Sequence, residues 1–70
     1  GPRRRREALA AAEARLDAEE RTVYRMLHVD GQTHAEVAAK LGTSTKTIQR
    51  MNNRILKRLH ATLRSAGFAA

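Results

Sequence analysis

Hydrophobic residues recur at intervals of three and four along most of the chain, which is the spacing of one face of an α-helix. The pattern is interrupted three times and predicts helices at about residues 6–15, 18–29, 34–41 and 45–66. Seventy residues can bury only one small core. We therefore predict an all-α fold over residues 3–70, a four-helix domain with a helix-turn-helix and a long C-terminal helix.

Residues 33–54, THAEVAAKLGTSTKTIQRMNNR, match the helix-turn-helix pattern of two helices around a sharp turn. Gly42 is expected to end the first helix, because the positive φ of such a turn costs glycine nothing. Ser44 is expected to start the second by accepting a hydrogen bond from the backbone N–H of Thr47. Ala38 supplies the small residue that two steeply crossing helices need. The positions predicted to face the shared core are Val37, Ala38, Leu41, Ile48 and Met51.

Two helix starts are marked by a polar residue followed three positions later by glutamate. Asp17 with Glu20, and Thr33 with Glu36, fit the capping box, in which each side chain accepts a hydrogen bond from the other residue's backbone N–H. The second helix is expected to end at Gly31.

Positive charge is concentrated in the C-terminal part of the chain. The net charge is +7, from 14 Lys and Arg against 7 Asp and Glu. An asymmetric charge of this kind indicates a polyanionic partner, most often nucleic acid, bound with an affinity that falls as salt rises. Residues 44–70 contain no acid and six basic residues, which are Lys46, Arg50, Arg54, Lys57, Arg58 and Arg64.

Polar side chains of the fourth predicted helix form one stripe opposite its apolar side. Such a helix fits the major groove of DNA, where Arg and Lys favour guanine, Gln and Asn favour adenine, and the Thr methyl contacts thymine. A merely solvated face more often carries paired Glu and Lys. The residues predicted to read bases are Thr45, Lys46, Gln49, Arg50 and Asn53. The residues predicted to bind phosphates are Thr33, Ser44, Thr47, Arg54 and Lys57, and those left for a protein partner are Leu56, Arg58, Leu63 and Arg64.

The first residues carry a run of arginines. Gly1-Pro2 resembles the remnant of a cleaved affinity tag, and we expect it to lie outside the domain. Arg3–Arg6 fits either a solvated helix end or an arm laid along phosphates or into a minor groove. The sequence leaves both interpretations open, as it does the role of Phe68.

Other classes of function find little support. The chain has no cysteine, hence no disulfide framework or thiolate metal site, and we expect a cytoplasmic, nucleoid-associated protein. His28, His34 and His60 lack the spacing of metal ligands. No apolar run approaches the roughly 20 residues of a membrane span. We therefore expect no enzyme activity, no cofactor, no metal and no membrane partner.

Three stretches together resemble region 4 of bacterial sigma factors, the domain that reads the −35 element of promoters for RNA polymerase. They are LDAEERTVYRML, DGQTHAEVAAKLGTS and TIQRMNNRILKRL, within about residues 16–63. The resemblance implies a role in transcription initiation, with a recognition helix whose base contacts come from Thr45, Lys46, Gln49 and Arg50. It also implies double-stranded promoter DNA, the β flap of RNA polymerase and an anti-sigma factor as partners. We expect the isolated domain to be a monomer.

Members of that family often have Arg and Glu where this chain has Thr45 and Lys46, so its preferred promoter sequence should differ. Two alternatives stay open. The DNA-binding domain of a LuxR-type transcriptional regulator shares the helix-turn-helix, although it usually continues into a further short helix. A sigma-like module that contacts RNA polymerase or an anti-sigma factor without reading DNA would show no salt-dependent DNA binding.

Overall fold

The structure, a computed structural model, describes residues 2–67. Most of these residues lie in four helices. In chain order they are α1 (Pro2–Ala14), α2 (Ala18–Tyr24), which a π-helical turn (Arg25–Val29) continues, α3 (His34–Leu41) and α4 (Thr45–Ser65). No strand occurs within residues 2–67. The predicted all-α, four-helix fold is therefore confirmed. Phe68 lies outside the described residues.

Helix α1 begins earlier than the sequence pattern predicts. It starts at Pro2, a residue that suits the first helical position because its missing N–H would be unpaired there anyway. Arg3–Arg6 continues the helix, since arginine is nearly as good a helix former as alanine. Arg3 Nε also lies 3.7 Å from Oε1 of Glu7, which is one helical turn further along α1. The arginine run thus forms an exposed part of α1, while its binding role stays a prediction.

The two predicted capping boxes are both present. Asp17 accepts a hydrogen bond from the backbone N–H of Glu20 at 2.8 Å, and Glu20 Oε1 accepts one from the backbone N–H of Asp17 at 3.1 Å. Thr33 and Glu36 exchange the same pair of bonds at 3.1 and 2.9 Å. These bonds satisfy backbone donors that the first turns of α2 and α3 would otherwise leave unpaired.

The end of α2 differs from the regular helix predicted over residues 18–29. The backbone N–H of Asp30 donates to the carbonyl of Arg25 at 2.9 Å, a spacing of five residues that makes the last turn π-helical. Gly31 then adopts φ 71°, and the N–H of Gln32 donates back to the carbonyl of Met26 at 2.9 Å. The prediction that this segment ends at Gly31 is confirmed.

The core is built around α4, against which α1, α2 and α3 all pack. Its buried apolar residues are Ala12, Leu16, Val23, Val37, Ala38, Ile48, Met51, Ile55 and Leu59. Full burial of a side chain such as Ile48 or Ile55 contributes about 1.5–3 kcal/mol. Leu41 was predicted to face this core, and that prediction is wrong because the side chain is 41% exposed at the last position of α3.

Candidate nucleic-acid interface

The N-terminal half of α4 presents a polar face to solvent. Its members, which we call the exposed stripe, are Thr45, Lys46, Gln49, Arg50 and Asn53, and all five are exposed. None of their side chains takes part in the hydrogen bonds or ion pairs found within residues 2–67. The opposite side of α4, with Ile48, Met51 and Ile55, is buried. The arrangement leaves these side chains available to a ligand.

The start of α4 is fixed by its own hydroxyl groups. Ser44 Oγ accepts a hydrogen bond from the backbone N–H of Thr47 at 3.1 Å and lies 2.9 Å from Thr47 Oγ1. The predicted helix cap at Ser44 is therefore confirmed. Thr33, at the start of α3, is similarly engaged with Glu36. A hydroxyl has one donor and two acceptor positions, so each of the three predicted phosphate contacts retains capacity for a further bond.

Basic residues also form a row along one side of α4. Lys46, Arg50, Arg54 and Arg58 follow one another at intervals of four, so that each lies about one turn beyond the last. The row has two different halves. Lys46 and Arg50 belong to the exposed stripe, whereas Arg54 and Arg58 are paired with an acid of α2.

That acid is Glu20, which is only 1% exposed. Arg58 Nη1 donates to Glu20 Oε1 at 2.7 Å, and Arg54 Nε lies 3.3 Å from Glu20 Oε2. A buried carboxylate requires compensating partners, because removing its charge from water is costly. From the sequence, Arg54 was predicted to bind phosphate, Arg58 to contact a protein partner, and Glu20 to cap the start of α2. The capping box at Glu20 is present, and the structure adds that the three side chains form one ion-pair cluster, which was not predicted from the sequence.

A sequence signal for this cluster existed. Glu20 lies four residues after Leu16 and three before Val23, so it occupies the inward side of α2 at helical spacing. An acid at such a position needs a basic partner, but both α1 and α4 are rich in arginine, so the sequence does not show which residues supply it. The capping box already accounted for Glu20, so its ion pairs with α4 were not predicted.

The residues predicted for a protein partner do not form one patch. Leu56 and Leu63 are half-buried and pack against the core on one flank of α4. Arg58 lies on the other flank, about 200° around the helix from Leu56. Arg64 and the predicted phosphate ligand Lys57 are exposed and continue the direction of the exposed stripe. A partner contacting α4 would thus meet two separate surfaces.

His28 contacts two neighbouring side chains. His28 Nε2 lies 2.8 Å from Asn52 Oδ1, and its ring lies against that of Tyr24, with centroids 5.1 Å apart and a tilt of 37° between the ring planes. Burial raises the pKa of Tyr24 above its ordinary value of 10.0, and the nearby Glu13 carboxylate raises it further. Among residues 2–67 no group of three His, Cys, Asp or Glu side chains could hold a metal ion. No helix in that range is long and apolar enough to cross a membrane.

Comparison with models of protein families identifies a match. A model of the family described as Sigma-70, region 4 matches residues 6–59, which is well over half of the chain. The matched range runs from α1 to Leu59 on α4 and includes the helix-turn-helix, the exposed stripe and the Glu20 cluster. Neither the comparison with curated proteins nor the comparison with solved structures gives a match.

Proposed function

We propose a function from the premise that the chain belongs to the sigma-70 region 4 family: it reads the −35 element of a promoter as the C-terminal domain of a sigma factor. Domains of this family bind DNA, act in transcription initiation and interact with RNA polymerase, and they are not a family of enzymes. Recognition of the −35 element is the finer step that we add. It assigns the base contacts to the exposed stripe.

The observation that carries the proposal is the unpaired state of the exposed stripe. Charged groups of a folded surface that serve only solubility are commonly paired with opposite charges along a helix. Within residues 2–67, Lys46 and Arg50 have no acidic partner, although Arg54 and Arg58 on the same row do. The face is also mixed in hydrogen-bonding character, with donors from Arg and Lys and both donors and acceptors from Gln49 and Asn53. That mixture suits base edges in the major groove.

The first turns of α4 would enter the groove. Docked recognition helices present their N-terminal residues to the bases, while the preceding helix crosses the backbone. In this orientation Thr45 and Lys46 lie deepest, Gln49 and Arg50 follow one turn later, and Asn53 is at the far edge. The hydroxyls of Thr33 and Ser44 and the amine of Lys57 would then contact the flanking phosphates.

Promoter preference should depend on the first two positions of the stripe. Lys46 is a donor and would favour a guanine, whereas the Thr45 methyl would favour a thymine. Region 4 domains that carry an acid at the position of Lys46 would prefer a cytosine amino group there instead. The promoter of this chain should therefore differ from theirs beneath Lys46.

Two protein partners belong to the same proposal. The β flap of RNA polymerase and an anti-sigma factor would contact parts of the domain outside the stripe, including Leu56 and Leu63 on one flank of α4 and Arg58 and Arg64 elsewhere on it. A single module buries little surface on DNA, so its affinity in isolation should be weak and should gain from attachment to the polymerase. A module that contacts these proteins without reading DNA is the competing function.

Selection of duplexes from a random pool, followed by titration of the selected site across a salt series, tests the proposal. We expect one preferred sequence and a steep loss of affinity as salt rises. Equal affinity for all sequences would leave only general DNA binding. An absence of salt-dependent binding, together with binding to a fragment of the β flap, would establish the interaction module instead.

A further inference from the structure

Glu20 and its two arginines form a cluster that neither the core nor base reading explains. Glu20 is buried on α2, whereas Arg54 and Arg58 lie one turn apart on α4. The side chains of the two arginines remain 61% and 54% exposed. Each guanidinium therefore has one edge against the carboxylate and the rest in solvent.

Most of the N–H donors of Arg54 and Arg58 are not used in binding Glu20. Glu20 Oε1 accepts from Arg58 Nη1 at 2.7 Å and from the backbone N–H of Asp17 at 3.1 Å. Glu20 Oε2 is buried without a hydrogen bond among the described residues and lies 3.3 Å from Arg54 Nε. A guanidinium has five N–H donors in a planar fork, so each arginine uses only a minor part of its donors on Glu20.

We infer that Glu20 is a positioning residue for DNA binding, which holds Arg54 and Arg58 so that their outer guanidinium edges can bind backbone phosphates. The inference rests on the proposed function, because it places α4 in the groove. Arg54 lies one turn beyond Arg50 on the same side of α4, so it is next in line to meet DNA contacted by Arg50. A flexible arginine loses rotamer freedom when it binds a phosphate, whereas one held by Glu20 has already lost much of that freedom on folding.

The opposite role for Glu20 is a mask that weakens DNA binding by neutralising two arginines. The two roles predict opposite signs for the same substitution. Glu20→Gln raises the net charge by one, so the removal of a mask should tighten DNA binding. The loss of a positioning residue should weaken DNA binding despite the added charge.

Fluorescence anisotropy with the selected duplex, at one low salt concentration, measures whether Glu20→Gln weakens or tightens DNA binding. We expect Glu20→Gln to bind about fivefold more weakly than the wild type, from the cost of immobilising the released arginines. Glu19→Gln makes the same charge change at the neighbouring exposed position, which has no ion pair among residues 2–67, and should bind as tightly as the wild type or more tightly. Binding by Glu20→Gln that equals or exceeds that of the wild type would overturn the inference alone. A wild type that binds no duplex would overturn the proposed function as well.

A second pair of variants leaves Glu20 in place and decides the matter if Glu20→Gln does not fold. Arg54→Lys keeps the charge but replaces the planar fork by a point charge that cannot bridge carboxylate and phosphate with two edges. We expect about threefold weaker binding for Arg54→Lys. Arg64→Lys, at an exposed arginine without a carboxylate partner in the described range, should leave binding unchanged. Wild-type binding by Arg54→Lys would overturn the inference.

A double-variant comparison separates positioning from a purely structural role. Where Arg54 and Arg58 are already replaced by Gln, Glu20→Gln has no arginine left to release and should cause no further loss of DNA affinity. A role in the fold alone would lower the affinity in that background by the same factor as in the wild type, and that result would also refute the inference.

Discussion

Thr43 donates its backbone N–H to the carbonyl of Ala38 at 2.9 Å and so closes the turn between α3 and α4. Gly42, between them in the chain, adopts φ 68°, and its N–H lies 3.4 Å from the carbonyl of Ala39. Together these bonds form a Schellman-type helix end. The turn determines the direction in which the chain leaves α3, and therefore the angle at which α4 presents its exposed stripe.

Replacement of Gly42 should weaken the fold through the backbone alone. Space exists for a methyl group, since no atom lies within 4 Å of a Cβ built at this position. The left-handed conformation costs an ordinary residue roughly 1–2 kcal/mol, so Gly42→Ala should lower the free energy of unfolding by about that amount. Asparagine tolerates this conformation better, and Gly42→Asn should lose less. Urea denaturation measures both, and equal stability of all three proteins would contradict this account of the turn.

Ala38 on α3 is 3% exposed and belongs to the core that α3 shares with α4. Ala38→Leu should overpack the contact between these helices and lower the free energy of unfolding by about 1–3 kcal/mol. Ala39→Leu adds the same atoms at the next, exposed position and should change stability little. Thermal melts of the two variants give the comparison. A normal melting temperature for Ala38→Leu would mean that the helices do not cross at this residue.

The ion-pair cluster should contribute to stability independently of DNA. Arg58→Ala removes the shorter contact to Glu20 and leaves a buried carboxylate with less compensation. Because Arg58 is itself half exposed, we expect a loss of only about 1–2 kcal/mol in the free energy of unfolding. Arg64→Ala makes the same charge change without touching Glu20 and should be nearly neutral. Equal melting temperatures of these variants would show that water compensates Glu20 as well as Arg58 does.

Features that depend on a few adjacent residues could be predicted from the sequence. The helix starts at Asp17, Thr33 and Ser44 are formed by side chains three residues from their partners, and the ends at Gly31 and Gly42 need only positive φ. The stripe of exposed polar residues also follows from helical periodicity once the core side of α4 is known. The family match agrees with the resemblance of the same stretches to sigma region 4.

Features that depend on tertiary geometry could not be predicted in this way. Glu20 and Arg58 are 38 residues apart, and their contact exists only because α2 crosses α4 at that point. The π-helical turn after Tyr24 has no residue signature in the sequence. Leu41 has the spacing of a core residue, yet its position at the end of α3 leaves it in solvent.

The capping box of α3 should make stability depend on pH in the acid range. The Thr33 backbone N–H donates to Glu36 Oε1 at 2.9 Å and lowers the pKa of Glu36 below its ordinary value of 4.5, with smaller contributions from the Thr33 hydroxyl and Lys40. A carboxyl group with a lowered folded-state pKa stabilises the fold above its unfolded pKa and loses this effect as pH falls through the folded value. Glu36→Gln should therefore melt below the wild type at about pH 7, and the gap should narrow as the pH falls below the unfolded-state pKa and through the lowered folded-state pKa. A gap that persists in acid would show that the carboxylate charge is not the cause.

Arg50 provides the sharpest test of base reading, because it is exposed and has no ion-pair partner within residues 2–67. The next arginine of the same row, Arg54, is instead paired with Glu20. A bidentate contact to guanine is lost only on sequences that carry that base. Arg50→Ala should therefore cost about 1–3 kcal/mol on the selected duplex and little on others. Arg64→Ala, further along α4, should reduce binding to all sequences alike or leave it unchanged. Parallel titrations of a selected and a scrambled duplex measure the difference, and a uniform loss for Arg50→Ala would make Arg50 a phosphate contact.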